Sequence, residues 1–183
     1  KFPPYYLSGG TALALQIGHR TSLDFDFDSR DKFDSKSLFP NAETISRSDD
    51  TLQVVINGVN LSVFYYPYPL IDELVDFGNI KLAGLGDIAA MKVIAIIQRA
   101  RQRDFVDMYY LIKYLGIKRI LDSVYGKYPW YLDNNMIIFK SLTYFEEADT
   151  DSDASRITVF DTQITWEYVK KEIKEEVDKY LVQ

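Results

Sequence analysis

Two aspartates on alternate residues, Asp24 and Asp26, offer the clearest chemistry in this sequence. They belong to the run L-D-F-D-F-D over residues 23–28, whose alternation is typical of a strand with one polar face. Residues two apart on a strand lie on the same face, roughly 6.6 Å apart. Because Mg²⁺ binds through a few carboxylates together with substrate phosphates, the pair predicts a divalent-metal site. The alternative is a solvated acidic strand face.

A Gly-Gly-Thr sequence, Gly9, Gly10 and Thr11, lies shortly before the aspartates. Glycines let the backbone approach a phosphate closely, and the N-terminus of a following helix offers free N–H groups to an anion. Thr11 could add a hydroxyl. Taken alone, this turn also suits any tight strand-to-helix connection. Together with the aspartates it favours a phosphate site.

The segment between the predicted helix and the aspartate strand carries three more polar candidates. His19, the only histidine, could act as a general base or could orient the loop. Arg20 could contact a phosphate or pair with Asp24 or Asp26. Ser22 lies two residues before Asp24, on the same predicted strand face, and could bond a phosphate or a metal-bound water.

Lys92 is an unusual residue, since the other nine residues of the stretch 88–97 are all apolar. Burying an ammonium group without a partner is costly, so we expect Lys92 to face a cleft or an anion. A snorkelling surface lysine is the alternative. Arg103 could share the helical face of Lys92. Asp104 and Asp107, three residues apart, could orient Lys92, act as a base, or simply pair within a helix.

The elements that must position these residues fall into two groups. We predict strands first, with one early helix at 11–17 that Gly18 ends; the strands are 5–8, 23–27, 42–47, 52–56, 59–66 and 80–83. Helices follow, the first of them capped by Asp87; they span 87–100, 104–115, 117–127, 131–145 and 165–181. This order predicts an α+β fold, with the domains at 1–83 and 84–183.

The composition narrows the class of protein. The chain has 183 residues, a net charge of −6 and no cysteine, which argues against a broad nucleic-acid-binding face and excludes cysteine-based metal sites. The longest apolar run is too short to span a bilayer, so we expect no membrane contact. We recognise no signal peptide and expect a cytoplasmic protein. The sequence begins at Lys1, which leaves open whether residues precede it.

Two stretches resemble the AbiEii/AbiGii family of nucleotidyltransferase-like toxins. The first is L-S-G-G-T-A-L-A-L-Q-I-G-H-R-T-S-L-D-F-D-F at residues 7–27. The second is D-I-A-A-M-K-V-I-A-I-I-Q-R-A-R-Q-R-D-F-V-D-M-Y-Y-L at residues 87–111, with a lysine followed by R-D-x-x-D. The family belongs to the DNA polymerase β-like nucleotidyltransferase superfamily. The resemblance implies a mixed sheet with flanking helices, followed by a helical domain that completes the cleft.

The resemblance also implies an activity: transfer of a nucleoside monophosphate from a nucleoside triphosphate to an acceptor. Asp24 and Asp26 would hold Mg²⁺ or Mn²⁺, while Lys92, Asp104 and Asp107 would complete the catalytic set. Nucleotide contacts would come from a further six residues: Gly9, Gly10, Thr11, Arg20, Ser22 and Arg103. The protein would be the toxin of a bacterial toxin–antitoxin or abortive-infection system, with a cognate antitoxin, and tRNA or another RNA is a plausible acceptor.

One departure from the superfamily pattern leaves alternatives open. A third acid is expected on the strand at 59–64, but the candidate position holds Ser62. Asp28 or Asp107 could substitute. The acceptor could instead be a small molecule or a protein side chain, which the acidic composition favours. The chain could also be an inactive nucleotide-binding relative.

Overall fold

The computed structural model describes residues 5–182. A seven-stranded mixed sheet has the strand order β3-β4-β5-β2-β1-β7-β6. The strands are β1 Tyr6–Ser8, β2 Phe25–Ser29, β3 Glu43–Arg47, β4 Thr51–Ile56, β5 Val59–Tyr65, β6 Val75–Phe77 and β7 Ile80–Leu82. Pairing is parallel for β1 with β7 and for β2 with β5, and antiparallel elsewhere.

Helix α1, Gly9–Ile17, follows β1 directly, and the other helices follow the sheet in sequence. They are α2 Leu85–Gln98, α3 Gln102–Leu115, α4 Ile117–Lys127, α5 Asn135–Thr143, α6 Glu146–Asp149 and α7 Trp166–Leu181. Short 3-10 helices occupy Pro129–Asn134 and Ala154–Arg156. The predicted α+β class, with strands first and helices second, is confirmed. In the part of the chain with described structure, no helix is both long and apolar enough to cross a bilayer.

The β4–β5 hairpin is confirmed where the sequence predicted it. Asn57 and Gly58 both have positive φ, 51° and 79°, as a two-residue turn of this hand requires. Ile56 pairs with Val59 across the turn. This hairpin places β5 beside β2 and so brings the residues of β5 next to the aspartates.

The aspartate strand β2 lies in the middle of the sheet. It begins at Phe25, so the predicted strand 23–27 was wrong by two residues at each end, and Asp24 precedes the strand. Asp26 pairs in register with Ser8 on one side and Ser62 on the other. The carboxylate of Asp26 therefore emerges from the centre of the sheet, between two small polar side chains.

Sheet and helices share one hydrophobic core. Leu7 and Leu13 from the first half belong to the same buried cluster as Ile88, Phe105 and Ile173 from the second half. A smaller cluster lies under β4 and β5. The division into domains at residue 83 stays a prediction.

Two predicted helices need correction, and one strand was missed. Helix α2 begins at Leu85 rather than at an Asp87 cap. The Asp87 carboxylate is instead fully buried, where it accepts the N–H groups of Ile71 and Asp72 and pairs with Lys127 Nζ at 2.7 Å. The helix expected at 131–145 is divided by Asn134 into a 3-10 helix and α5. Strand β6, which pairs with β7 at the edge of the sheet, was not predicted.

Candidate active site

A cavity of about 830 Å³ opens between the sheet and the helical half of the chain. It is lined by ten of the eleven residues to which the family resemblance assigns a role, namely Gly9, Gly10, Thr11, Arg20, Ser22, Asp24, Asp26, Lys92, Arg103 and Asp104. Asp107 is the exception, since it is completely buried beside the cavity. Residues separated by up to 95 positions in sequence thus meet at one place.

The glycine turn brings the start of α1 against the aspartate strand. Gly9 has φ of +63°, and a Cβ at this position would lie 3.1 Å from Asp26 Oδ2. The Ser8 hydroxyl donates to the Asp26 carbonyl at 3.3 Å, and no side chain caps α1. The first-turn N–H groups of α1 therefore remain without an intrahelical or capping partner.

Thr11 and Ser22 hold the turn before β2. The Thr11 hydroxyl donates to the carbonyl of Asp24, and the Thr11 and Ser22 hydroxyl oxygens are 2.8 Å apart. Thr11 is 6% exposed. Its hydroxyl is thus engaged within the protein, which favours a positioning role over the phosphate contact that the sequence suggested.

Asp24 lies among cations and one amide. Asn60 Nδ2 donates to Asp24 Oδ1 at 3.0 Å. Arg103 approaches Asp24 Oδ2 at 4.0 Å, and Arg156 approaches Oδ1 at 3.8 Å. Because the Asp24 side chain is about one-third exposed, these ion pairs are weak, and both arginines remain available to a phosphate.

Asp26 is more enclosed than Asp24. Burial raises the pKa of the Asp26 carboxyl, and the neighbouring Asp24 carboxylate raises it further. The Ser62 hydrogen bond and the Lys92 ammonium oppose this shift. The environment therefore disfavours the ionised form of Asp26 unless another positive charge joins it.

A buried ionic cluster lies beside the cavity and contributes to its wall. Its members are His19, Arg20, Lys92, Asp104 and Asp107. Asp107 is its centre: it accepts from His19 Nε2 at 2.7 Å, from Arg20 Nε at 2.6 Å and Nη2 at 2.8 Å, and it pairs with Lys92 at 2.7 Å. Burial alone would raise the pKa of Asp107, but the surrounding cations reverse the effect and lower it. A carboxylate held by three donors favours a positioning role over the predicted role as a base.

Lys92 meets anions, as its place in an apolar run predicted. Its ammonium lies 2.6 Å from Asp104 Oδ1 and 2.7 Å from Asp107 Oδ2, and it lines the cavity. Burial would lower the pKa of Lys92, yet the two carboxylates outweigh burial and raise it, so Lys92 stays charged. Asp104 Oδ2 is buried and has no hydrogen-bond partner among the described residues.

Arg20 neither pairs with Asp24 or Asp26 nor is free to bind a phosphate, the two roles that the sequence suggested. Its guanidinium binds Asp107 in a bidentate manner and donates to the Thr21 carbonyl, rather than pairing with Asp24 or Asp26. The His19–Arg20 segment is thereby fastened to helix α3. Arg20 reaches the cavity wall, but most of its donors are already used by the protein.

The close approach of Gly10 to Arg20 gives a testable prediction. A Cβ at Gly10 would collide with Arg20 Nη2, and Arg20 cannot move without breaking its bonds to Asp107. Gly10→Ala should therefore cost about 1–3 kcal/mol of unfolding free energy, measured by urea denaturation. Gly126→Ala is the matched control in another helix, where the added methyl meets only the flexible end of Ile71. Equal stability of the two variants would contradict this assignment.

The expected third acid is absent from β5. Ser62 occupies the position beside Asp26, and residues 5–182 contain no group of three or more His, Cys, Asp or Glu side chains arranged around one metal position. Asp28, the suggested substitute, lines the same cavity two residues along β2. It is 1% exposed, and its Oδ2 has no hydrogen-bond partner among the described residues.

Several cavity residues were missed by sequence reasoning. Asn60 could have been found, because it lies two residues before Ser62 and therefore on the same strand face. Arg156 carries no local signal, since it comes from a 3-10 helix far along the chain. A group of aromatic side chains at one end of the cavity was also missed: Tyr66, Tyr68, Tyr128, Trp130 and Tyr131.

Known structures share the fold of this chain. JHP933 from Helicobacter pylori superposes with a TM-score of 0.62 at 20% identity, over 97% of this chain and 83% of its own. MenT4, the nucleotidyltransferase toxin Rv2826c of Mycobacterium tuberculosis, superposes with a TM-score of 0.61 at 16% identity, over 97% of this chain and 77% of its own. The fold is that of the nucleotidyltransferases.

Sequence comparison then gives the family. Residues 63–179 match the model of the nucleotidyl transferase AbiEii toxin of type IV toxin–antitoxin systems, and the chain belongs to this family of nucleotidyltransferases. The resemblance inferred from the sequence is confirmed, although the matched region begins after the glycine and aspartate motifs. An uncharacterised protein of Aquifex aeolicus is 38% identical over 97% of this chain and 88% of its own length.

Proposed function

We propose that this protein transfers a nucleoside monophosphate from a nucleoside triphosphate to a hydroxyl group of an RNA, and that it does so as a toxin. The observation that carries the proposal is the convergence in one cavity of Asp24 and Asp26 with Lys92 and Asp104. Phosphoryl transfer depends on positioning and on electrostatic stabilisation, and this cavity offers both.

The triphosphate would lie at the start of α1. The N–H groups of Gly10 and its neighbours have no capping side chain, and Gly9 leaves space beside Asp26. A helix N-terminus of this kind favours an anion. Arg103 and Arg156, both on the cavity wall, would add positive charge around the phosphates.

Asp24 and Asp26 would hold a divalent cation, Mg²⁺ or Mn²⁺. The carboxylate pair suits these hard cations, and a positive charge would remove the unfavourable environment that burial imposes on ionised Asp26. When bound, such an ion polarises the phosphate and offsets the charge on the leaving group. The phosphates of the nucleotide would supply the remaining ligands, since the protein offers two carboxylates here.

The residues of the buried ionic cluster would complete the reaction centre. The acceptor hydroxyl oxygen forms a bond to the α-phosphorus, and the bond from that phosphorus to the bridging oxygen breaks, so that pyrophosphate leaves. We assign the departing hydroxyl proton to the free Oδ2 of Asp104. Lys92 would stabilise negative charge at the phosphate, while Asp107, which is itself held by Arg20, keeps Lys92 in place.

Incubation with each α-labelled nucleoside triphosphate, Mg²⁺ and total RNA tests the proposal. We expect label on RNA with the native chain and none with the Asp24→Ala, Asp26→Ala double variant. A small-molecule or protein acceptor is the second candidate, favoured by the net charge of −6. Label on protein or on a small acceptor would support that alternative. Absence of label on any acceptor, despite nucleotide binding, would contradict the proposed transfer.

A cognate antitoxin is the partner that membership of a toxin–antitoxin family implies. We propose that expression of the chain alone arrests bacterial growth and that the Asp24→Ala, Asp26→Ala variant does not. Growth arrest by the double variant at equal protein level would contradict a toxicity that depends on this site.

A further inference from the structure

The aromatic end of the cavity is made from two segments. Tyr68 contacts Tyr66, Tyr128 and Trp130, with ring centroids 4.8, 5.2 and 6.0 Å apart. The hydroxyls of Tyr66 and Tyr128 bond each other, which fixes both rings. Trp130 remains 54% exposed, although it is a large apolar side chain on the wall of a cavity. An exposed ring beside a rigid aromatic group is suited to stacking.

This aromatic end lies opposite the cationic end. Arg103 and Arg156 approach Asp24, whereas the backbone N–H of Tyr66 donates to Ser29 at the other end of β2. Asp24 and Asp28 are roughly 13 Å apart along the strand direction. One elongated cavity therefore presents positive charge, then the carboxylate pair, then aromatic rings.

Asp28 provides a second observation at the aromatic end. Its side chain is 1% exposed and lines the cavity, yet Oδ2 has no hydrogen-bond partner among the described residues. A buried polar atom without a partner is rare in native proteins, so it points to a ligand that completes the bond. A flat ring with hydrogen-bonding groups on its edge would satisfy both the aromatic side chains and Asp28.

We propose that the aromatic end is a nucleobase site, in which a base stacks on Trp130 and its edge bonds Asp28. The inference rests on the proposed function, because it gives that cavity the base of a nucleotide whose phosphates lie at the cationic end. The base could belong to the incoming nucleoside triphosphate or to the terminal nucleotide of the acceptor RNA. Both offer the same stacking chemistry, and the experiment separates them.

The fluorescence of Trp130 can report binding directly, since the chain has two tryptophans and the other, Trp166, can be replaced. In a Trp166→Phe background we expect ATP, GTP, CTP or UTP to quench Trp130 fluorescence in the presence of Mg²⁺. Inorganic triphosphate should bind without quenching. Trp130→Ala should weaken nucleotide binding about tenfold, which is about 1.4 kcal/mol and within the range for one stacked base. Its affinity for inorganic triphosphate should not change.

The control is Tyr144→Ala, which removes an aromatic ring that is half exposed and lies outside the cavity. Quenching by a short single-stranded RNA but not by nucleoside triphosphates would assign the site to the acceptor base. Equal affinity of native chain and Trp130→Ala for every nucleotide and RNA would overturn the proposal. Asp28→Asn should change the ranking of the four nucleotides, and an unchanged ranking would remove Asp28 from the site.

These measurements need no transfer reaction. If nucleotides quench Trp130 while no acceptor is ever labelled, the nucleobase site stands and the proposed transferase acceptor fails. If label is transferred but neither nucleotides nor RNA respond to Trp130→Ala, the proposed function stands and the nucleobase site fails.

Discussion

Asp26→Asn is expected to reduce nucleotide transfer by about 10²–10³-fold or more, because it removes one of the two carboxylates available to a divalent cation. The same substitution should leave the melting temperature unchanged or slightly higher. Burial raises the pKa of Asp26, so the ionised side chain costs folding free energy that the neutral amide does not. Activity and thermal unfolding of the same preparation check both expectations.

Asp49→Asn is the matched control, since Asp49 is exposed and lies outside the cavity. It should retain full activity and unaltered stability. An Asp26→Asn variant that is inactive only because it is unfolded would contradict the assignment. So would an Asp26→Asn variant that is folded and fully active. Loss of activity with retained folding is expected when a residue lowers the stability of the fold but is required for the reaction.

Asp107→Asn is expected to lower the unfolding free energy by about 3–5 kcal/mol. The substitution leaves Lys92 and Arg20 buried without their common counter-charge. For a chain of this size the melting temperature should fall by about 6–20 °C, at about 2–4 °C per kcal/mol. Calorimetry or circular dichroism measures the change.

Asp122→Asn removes the same charge from an exposed pair, in which Lys118 and Asp122 lie one helical turn apart at 2.9 Å. This control should lose no more than about 0.5 kcal/mol. Similar melting temperatures for Asp107→Asn and Asp122→Asn would show that the buried ionic cluster contributes no more than a surface pair. A double variant, Lys92→Met with Asp107→Asn, should lose less than the sum of the two single variants, because the partners share one interaction.

Patterns that are local in sequence predicted most of the fold. The Asn57-Gly58 turn has backbone requirements that few other residues meet, and the hairpin formed there. Helix α4 was predicted with its observed bounds, because a strong amphipathic pattern lies between Gly116 and Tyr128. Helix α2 was predicted two residues too late at each end, since a buried Asp87 that binds backbone N–H groups from another segment looks like an N-cap in sequence.

Long-range contacts explain what the sequence could not predict about the site. Lys92 was nominated because a charge within an apolar stretch violates a local rule. Its partners carry no such local signal, because Asp107 and Arg20 are 87 positions apart in sequence and meet only in the folded chain. Arg156 and Trp130 have no local pattern at all, and only the fold places them in one cavity with the aspartates.

The buried ionic cluster joins residues that are synthesised at very different times during translation. Arg20 leaves the ribosome long before Asp107, and a nascent fragment that ends in α2 contains the cation without its counter-ion. In such a fragment His19 and Arg20 lack their bonds to Asp107, and Lys92 has neither of its carboxylates. The complete cavity, which Arg103 and Asp104 help to line, therefore forms only after α3 has been synthesised.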